Sequence, residues 1–153
     1  MKKYTLLLLL SFLLSANIFA QGIVGKWKTF DDKTKAITSI FEIYEDNGAY
    51  YGKILLILNE KNKDICKTCE GKYHNKSLKG IVILNDLVKN GEIYEDGNIT
   101  DPQNAKNYSC NVELITKNKL KIRGYIGFSI FGRTQYWYRV TKQEELDYNN
   151  KIN

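Results

Sequence analysis

Residue types that support many kinds of catalysis are scarce in this chain of 153 residues. It contains a single His and lacks the Gly-x-Ser-x-Gly elbow of serine hydrolases, so no catalytic triad is indicated. Glycine-rich phosphate-binding loops are also missing, and Asp96, Asn98 and Asp101 lack the full spacing of a calcium loop. We therefore expect no catalytic site, no cofactor and no metal centre.

Long apolar segments are confined to the start of the chain. Two lysines precede the apolar run 6–14, and a small-residue cleavage site ends at Ala20. The alternative interpretation, a membrane anchor, needs roughly twenty apolar residues, and this run is shorter. We therefore predict a cleaved signal peptide at residues 1–20, a mature domain at 21–153, a periplasmic or secreted location, and no membrane span after cleavage.

The charge balance is basic but does not indicate a nucleic-acid partner. Lys and Arg number 23 against 17 Asp and Glu, a formal net charge of +6. Lysines alternate with acidic residues along the chain, whereas a nucleic-acid footprint is a clustered patch. A secreted location points the same way, so no nucleic acid is expected among the partners.

Tyr is abundant, with 11 residues, whereas Pro occurs once, and this balance favours strands over linkers. Asn-Gly and Asp-Gly pairs, which accept the positive φ of tight hairpins, recur at short intervals. Between these and other turn signals lie eight strand-like runs: 23–30, 37–45, 49–58, 79–84, 92–94, 108–115, 120–126 and 134–140. This spacing predicts one antiparallel β-sandwich or β-barrel.

The alternation within these runs indicates which face is buried. Trp27 alternates with Lys26, and in the third run Ile54 and Leu56 share the face opposite Lys53. At the other end of the chain, Thr141 and Glu144 have capping-box spacing, which predicts a short C-terminal helix.

A polar segment, residues 59–79, interrupts the strand pattern and contains Cys66-Lys67-Thr68-Cys69. In an oxidising compartment this pair predicts a local disulfide between Cys66 and Cys69. A redox-active pair is one alternative. Zinc ligation by Cys66, Cys69, His74 and Cys110 is another, and the third thiol is otherwise explained by burial in a strand.

Two motifs at opposite ends of the chain resemble the barrel closure of calycins, the superfamily of lipocalins and fatty-acid-binding proteins. Gly25-Lys26-Trp27 opens the first strand, and Trp137 and Arg139 lie in the last. In calycins a C-terminal Arg lies over the N-terminal Trp, a cation–π contact that covers a buried ring. The resemblance implies a single antiparallel calycin-like β-barrel of about eight to ten strands.

The mature chain is also similar to a group of secreted bacterial proteins, domain-of-unknown-function family 2147. The matching segments are 25–29 with Asp31-Asp32, 51–54, Cys66-x-x-Cys69, Leu78-x-Gly80, Asp101-Pro102, Tyr108-x-Cys110 and 123–139. One departure is Ala105-Lys106-Asn107, where the family usually has an Asn-Gly-Lys turn. The family implies a lipocalin-like barrel in the cell envelope and supplies no established activity.

Three residues are candidates for ligand binding: Arg123, Tyr125 and Tyr50. If Arg123 and Tyr125 face the barrel interior, they can bind a carboxylate, as Arg-x-Tyr sets do in fatty-acid-binding proteins. Simple alternation instead directs Arg123 to solvent while Leu120 and Ile122 point inward, unless a bulge near Gly124 changes the parity.

Together these features predict a non-catalytic secreted barrel that binds a small apolar or amphipathic ligand. The alternative is an envelope interaction module whose barrel core is solid. Its surface, and the cysteine-bearing loop in particular, would then contact a protein or a glycan.

Overall fold

The computed structural model describes residues 22–31, 33–58 and 65–152, so the predicted signal peptide and Asp32 lie outside the described residues. Within these ranges the chain forms eight strands and one α-helix: β1 (Gly25–Phe30), β2 (Ile37–Asp46), β3 (Ala49–Ile57), β4 (Val82–Asn90), β5 (Ile93–Asp101), β6 (Lys106–Thr116), β7 (Lys119–Tyr125), β8 (Arg133–Arg139) and α1 (Lys142–Ile152). Short 3₁₀ turns occur at Gly71–Tyr73 and Ser129–Phe131.

The strands form a closed antiparallel barrel in which each strand pairs with the next and β8 returns to β1. This confirms the predicted all-β, calycin-like architecture. The closing seam is short, because β1 and β8 pair only at Trp27 with Arg139 and at Lys28 with Tyr138.

Two local predictions were wrong because bulges are decided by pairing rather than by local sequence. Asp96-Gly97 is the Asp-Gly pair interpreted above as a hairpin turn, but it lies inside β5, where the register shifts and Asp96 adopts a φ of 61°. A second register shift lies between Ile40 and Phe41, so Ile57 rather than Leu56 packs against the core.

The connections alternate between the two ends of the barrel, as in any up-and-down topology. The end that we call the closed end carries three two-residue turns, Asn47-Gly48, Gly91-Glu92 and Lys117-Asn118. The opposite end, the open end, carries the longer loops after β1, β3, β5 and β7.

The barrel interior is filled over much of its height by fully buried apolar side chains. They include Trp27, Ile43, Leu84, Leu87, Val112 and Leu120, each 0% exposed. Burial of such side chains stabilises a domain by about 1.5–3 kcal/mol each, so this cluster holds the barrel together.

Helix α1 begins at the predicted capping box, which confirms the short C-terminal helix. The Thr141 N–H donates to Glu144 Oε2 at 2.8 Å, and the Glu144 N–H donates to Thr141 Oγ1 at 3.3 Å. Ion pairs from Lys26 to Glu145 and from Lys28 to Glu144 attach the helix to the outer face of β1. No helix in the described ranges is long and apolar enough to span a bilayer.

Candidate functional site

The closed end is a hydrogen-bonded plug around Trp27. The guanidinium of Arg139 lies 4.1 Å from the centre of the Trp27 ring, and it donates to the carbonyls of Gly22, Val24 and Lys117 at 2.7–3.0 Å. A Cβ at Gly25, where φ is 132°, would lie 2.7 Å from the guanidinium, so glycine is required there. Trp27 Nε1 donates to the carbonyl of Ile23 at 2.7 Å, so the polar groups of both side chains are satisfied.

The open end instead contains a cup-shaped cavity of about 770 Å³. Its floor and lower wall are formed by residues on four strands: Phe41, Ile83, Ile122, Gly124 and Trp137. Its rim includes Gln103 and Asn104 from the β5–β6 loop and Phe131 from the β7–β8 loop. Small-ligand pockets in proteins are about 300–1,000 Å³, so the cup has the size of a ligand site.

Trp137 forms part of the floor of the cup and has a buried indole N–H without a hydrogen-bond acceptor among the described residues. Its indole stacks on Phe41 with ring centres 4.3 Å apart and planes 14° from parallel. The side chain is buried, and no described protein group accepts the Nε1–H. Leaving a buried donor unpaired costs about 1–3 kcal/mol, so this N–H lowers the stability of the fold.

The wall of the cup also has a polar side. Thr29 and Thr38 hydrogen-bond through their hydroxyls at 2.8 Å, and Asn104 Nδ2 donates to the Tyr108 hydroxyl at 3.1 Å. Among the described lining residues, only Asp101 and Arg133 are charged, and both lie at strand ends beside the open-end loops. The cup is therefore apolar at its base and polar or charged towards its rim.

The three residues predicted for ligand binding are not brought together. Tyr125, at the end of β7, lines the cup. Arg123 does not line it: β7 keeps Leu120 and Ile122 inward, and its pairing with β8 shows no register shift, so Arg123 lies on the outer face. Tyr50 lies beside the Asn47-Gly48 turn of the closed end, in a T-shaped contact with Tyr94 at 4.8 Å.

Arg123 is bound instead to the β7–β8 loop. Its guanidinium donates to the carbonyls of Ser129 and Ile130 at 2.7 and 3.0 Å, and to Thr134 Oγ1 at 2.7 Å. The side chain thus holds one rim loop in place from outside, and the carboxylate-binding geometry that the Arg-x-Tyr pattern suggests is not the one adopted.

Cys66 and Cys69 form a disulfide with an S–S distance of 2.02 Å, as predicted. The same loop contacts the cup rim: Thr68 Oγ1 donates to Gln103 Oε1 at 3.3 Å, and the Glu70 N–H donates to the Gln103 carbonyl at 3.1 Å. The disulfide therefore closes a loop that supports the mouth of the cup.

The four residues considered as zinc ligands do not form a metal site, because Cys66 and Cys69 are joined to each other in the disulfide. Cys110 is fully buried in the core on β6, and burial raises the pKa of its thiol to about 12. His74 is exposed, and its Nδ1 contacts the Cys69 carbonyl at 3.1 Å. No cluster of three or more His, Cys, Asp or Glu side chains that could hold a metal ion occurs in the described part of the chain.

Sequence reasoning missed the floor of the cup. It assigned Trp137 to barrel closure together with Arg139, whereas Trp137 lines the cup and Arg139 seals the opposite end. The alternation of Trp137 with exposed Tyr136 and Tyr138 indicated an inward side chain. The position of the Trp137 side chain between the closed end and the open end depends on the register of β8 against its neighbouring strands. Alternation along a single strand does not reveal that register.

Comparisons with known proteins agree with this architecture. The chain is similar to the solved structure described as "Protein HP1028 from the human pathogen Helicobacter pylori belongs to the lipocalin family", with 24% sequence identity and a TM-score of 0.67. The match covers 81% of this chain and 86% of that one, and it shows a shared fold. No curated protein matches the chain. Residues 25–139 match the family described as uncharacterized proteins conserved in bacteria (DUF2147), and the chain belongs to that family.

Proposed function

We propose that this protein is a non-catalytic binding protein of the bacterial envelope or exterior that holds a small apolar or amphipathic ligand in the cup. The observation that carries the proposal is the cavity of about 770 Å³ above an apolar floor. The predicted signal peptide and the Cys66–Cys69 disulfide support a location outside the cytoplasm, because disulfides persist in oxidising compartments.

The distribution of polar groups supports one orientation of an amphipathic ligand. The floor is apolar, and the charged lining residues Asp101 and Arg133 lie at the rim. A carboxylate at the floor would be desolvated without a cation beside it, which is strongly unfavourable. The ligand is therefore expected to bind with its apolar part inward and a charged group at the mouth.

The test is the affinity of the mature protein for a fluorescent long-chain fatty acid, with native mass spectrometry to detect co-purified lipid. Gly124 offers the most direct variant because it lines the cup and lies in a strand without a positive φ. Gly124→Val should fill part of the cup and weaken probe binding by about tenfold or more. Gly124→Ala is the matched control, because its Cβ would lie 3.4 Å from Ile99 Cγ2 and 3.6 Å from Tyr108 Cβ, which are ordinary contacts.

The two tryptophans supply an internal comparison for the same titration. Trp137 lines the cup with its indole N–H unpaired, whereas the Trp27 N–H is bonded to Ile23 at the closed end. In ¹H–¹⁵N spectra, an occupied cup should shift the Trp137 indole resonance and leave that of Trp27 nearly unchanged. Absence of probe binding and of co-purified lipid, with a folded Gly124→Val variant indistinguishable from wild type, would refute the proposal.

A second candidate function, contact with a protein or glycan, is favoured by a groove on the outer face of the barrel. This groove, of about 720 Å³, lies between β1 and β8 and is lined by Phe30, Tyr136 and Tyr138 with Lys28 and Arg139. Exposed aromatic faces beside cations suit stacking against a sugar ring or a partner side chain. Tyr136→Ala should reduce retention on a glycan array or in a pull-down without changing probe affinity in the cup; unchanged retention would exclude this groove.

A further inference from the structure

The loop between β7 and β8 exposes a contiguous set of large apolar side chains, residues 126–131, which we call the apolar finger. Ile126, Phe128, Ile130 and Phe131 are 66%, 77%, 75% and 78% exposed. Singly exposed apolar residues are normal on a protein surface, whereas a continuous exposed group marks an interaction site.

The apolar finger is held in one shape by the rest of the chain. Ser129–Phe131 form a 3₁₀ turn, and Arg123 binds the carbonyls of Ser129 and Ile130 from outside. Gly132 fixes the return of the loop, because a Cβ there would lie 2.6 Å from the Gly124 carbonyl oxygen. The exposure is thus built into a preorganised loop, which reduces the entropy that binding must remove.

The apolar finger is continuous with the cup, because Ile126 and Phe131 are both exposed and line the cavity. Phe128 and Ile130 do not line it. The finger therefore has one side that belongs to the cup and another that is exposed outside it.

Positive charge is concentrated around the same end. The described parts of the open-end loops carry two acids, Asp31 and Glu70, and six exposed lysines: Lys33, Lys35, Lys67, Lys72, Lys76 and Lys79. None of the six forms a salt bridge with a described carboxylate. The closed-end turns carry only Glu92 and Lys117, so the excess of positive charge is particular to the open end.

We propose that the open end docks on an anionic lipid bilayer, with the exposed side of the apolar finger in the headgroup region and the lysines of the other open-end loops against the lipid phosphates. An apolar projection on an end that also carries exposed cations is complementary to such a surface, which combines an apolar interior with a negatively charged boundary. Docking would place the mouth of the cup at the bilayer, so that an apolar ligand could exchange without crossing water.

The test is co-sedimentation of the mature protein with vesicles of phosphatidylglycerol and phosphatidylcholine in equal parts, and with vesicles of phosphatidylcholine alone. Binding should be strong to the mixed vesicles, weak to phosphatidylcholine, and reduced by high salt. Phe128→Ser with Ile130→Ser should weaken binding by about tenfold or more, because each removes an apolar side chain from the interface. Lys72→Gln with Lys76→Gln should weaken binding to the mixed vesicles alone.

The matched control is Val88→Ser with Ile93→Ser, which removes two exposed apolar side chains, 48% and 42% exposed, away from the open end. This control should bind vesicles like wild type, and circular dichroism should show all variants folded. Probe affinity in the cup should be unchanged in both double serine variants, so vesicle docking and ligand binding are measured separately.

Three results would overturn the proposal. The first is no binding to mixed vesicles by folded protein, and the second is equal loss in the finger and control variants. The third is that the wild-type protein is a dimer in sedimentation velocity, that only the finger variant is a monomer, and that neither protein binds vesicles. The finger would then be an interface between copies of this chain. Failure of the fatty-acid probe to bind would refute the cup proposal and leave these vesicle results to stand independently.

Discussion

The two ends of the barrel each have a Trp and an Arg, but these residues are arranged differently at the two ends. At the closed end a Trp and an Arg meet directly: Arg139 lies over Trp27, and its donors are used by backbone carbonyls. At the open end the corresponding residues are apart, because Trp137 lines the cup with an unpaired N–H while Arg123 binds a rim loop from outside. The contacts at the closed end stabilise the fold, whereas the unpaired N–H of Trp137 lowers its stability, as is common near functional sites.

The largest expected effect comes from breaking the closed end. Arg139→Ala removes the cation–π contact and leaves three carbonyls without their donor, so the free energy of unfolding should fall by about 3 kcal/mol. Urea denaturation at neutral pH measures this loss. Arg139→Lys should recover part of it, since the charge is kept and the planar fork is lost. Probe affinity in the cup should not change; a large change would mean that the two ends are coupled.

The boundary between the packed core and the cup can be tested through Cys110, which pairs across β6 and β7 with the cup residue Gly124. Burial raises the pKa of this thiol from 9.0 to about 12, so the folded state holds the proton more tightly than the unfolded state. The resulting stability is complete below a pH of 9.0 and is lost as pH rises towards 12. The loss should reach about 2 kcal/mol near a pH of about 10.5.

The comparison with Cys110→Ala isolates this contribution, because other groups titrate equally in both proteins. Urea unfolding between neutral pH and a pH of about 11 should show a steeper alkaline decline for wild type. If the free energy of unfolding declined equally with pH in both proteins, water in the cup would reach the thiol. The packed core would then end closer to the closed end than the structure indicates.

A smaller effect is expected from the disulfide, because Cys66 and Cys69 are only three residues apart. Cys66→Ser with Cys69→Ser should lower stability by about 2 kcal/mol or less, since closing so short a loop restricts the unfolded chain little. The same change should alter probe affinity by a few-fold, because the loop contacts Gln103 on the rim. Chemical reduction of wild type is the parallel measurement, and an unchanged affinity would separate the loop from the cup.

The smallest effect on stability is expected at Arg123. Arg123→Met keeps much of the stem but removes three hydrogen bonds on an accessible surface, and should cost about 1 kcal/mol. Hydrogen exchange should quicken at the Phe131 and Gly132 amides, which bond to the carbonyls of Phe128 and Ser129. Protection equal to that of wild type would mean that the 3₁₀ turn holds the finger without Arg123.

Much of the fold could be predicted from local patterns. Each of the eight strand-like runs overlaps one strand of the barrel, and the Thr141–Glu144 spacing predicted the start of α1. These features depend on alternation and capping, which involve residues close in sequence. The bulges at Asp96 in β5 and at Leu55 in β3 were not predicted, because an extra residue in one strand is defined only against its partner strand.

The candidate site was less predictable than the fold. Of the three residues predicted for ligand binding, only Tyr125 lines the cup. Arg123 would face the interior only if a bulge at Gly124 reversed the inward and outward alternation of β7. The pairing of β7 with β8 contains no such bulge. Asn104 and Gln103 were not predicted, because rim residues from loops carry no periodic signal.

The sequence by itself determined the antiparallel strands and the local disulfide, because turn residues, alternation and the Cys-x-x-Cys spacing lie within short stretches, and the resemblance of its motifs indicated the barrel and the family. Only the tertiary structure decided which end of the barrel each aromatic residue occupies and where the packed core stops. Both depend on strand register and barrel closure. Because β8 pairs with β1 at two residue pairs, Arg139 lies at the closed end and Trp137 lies at the floor of the cup.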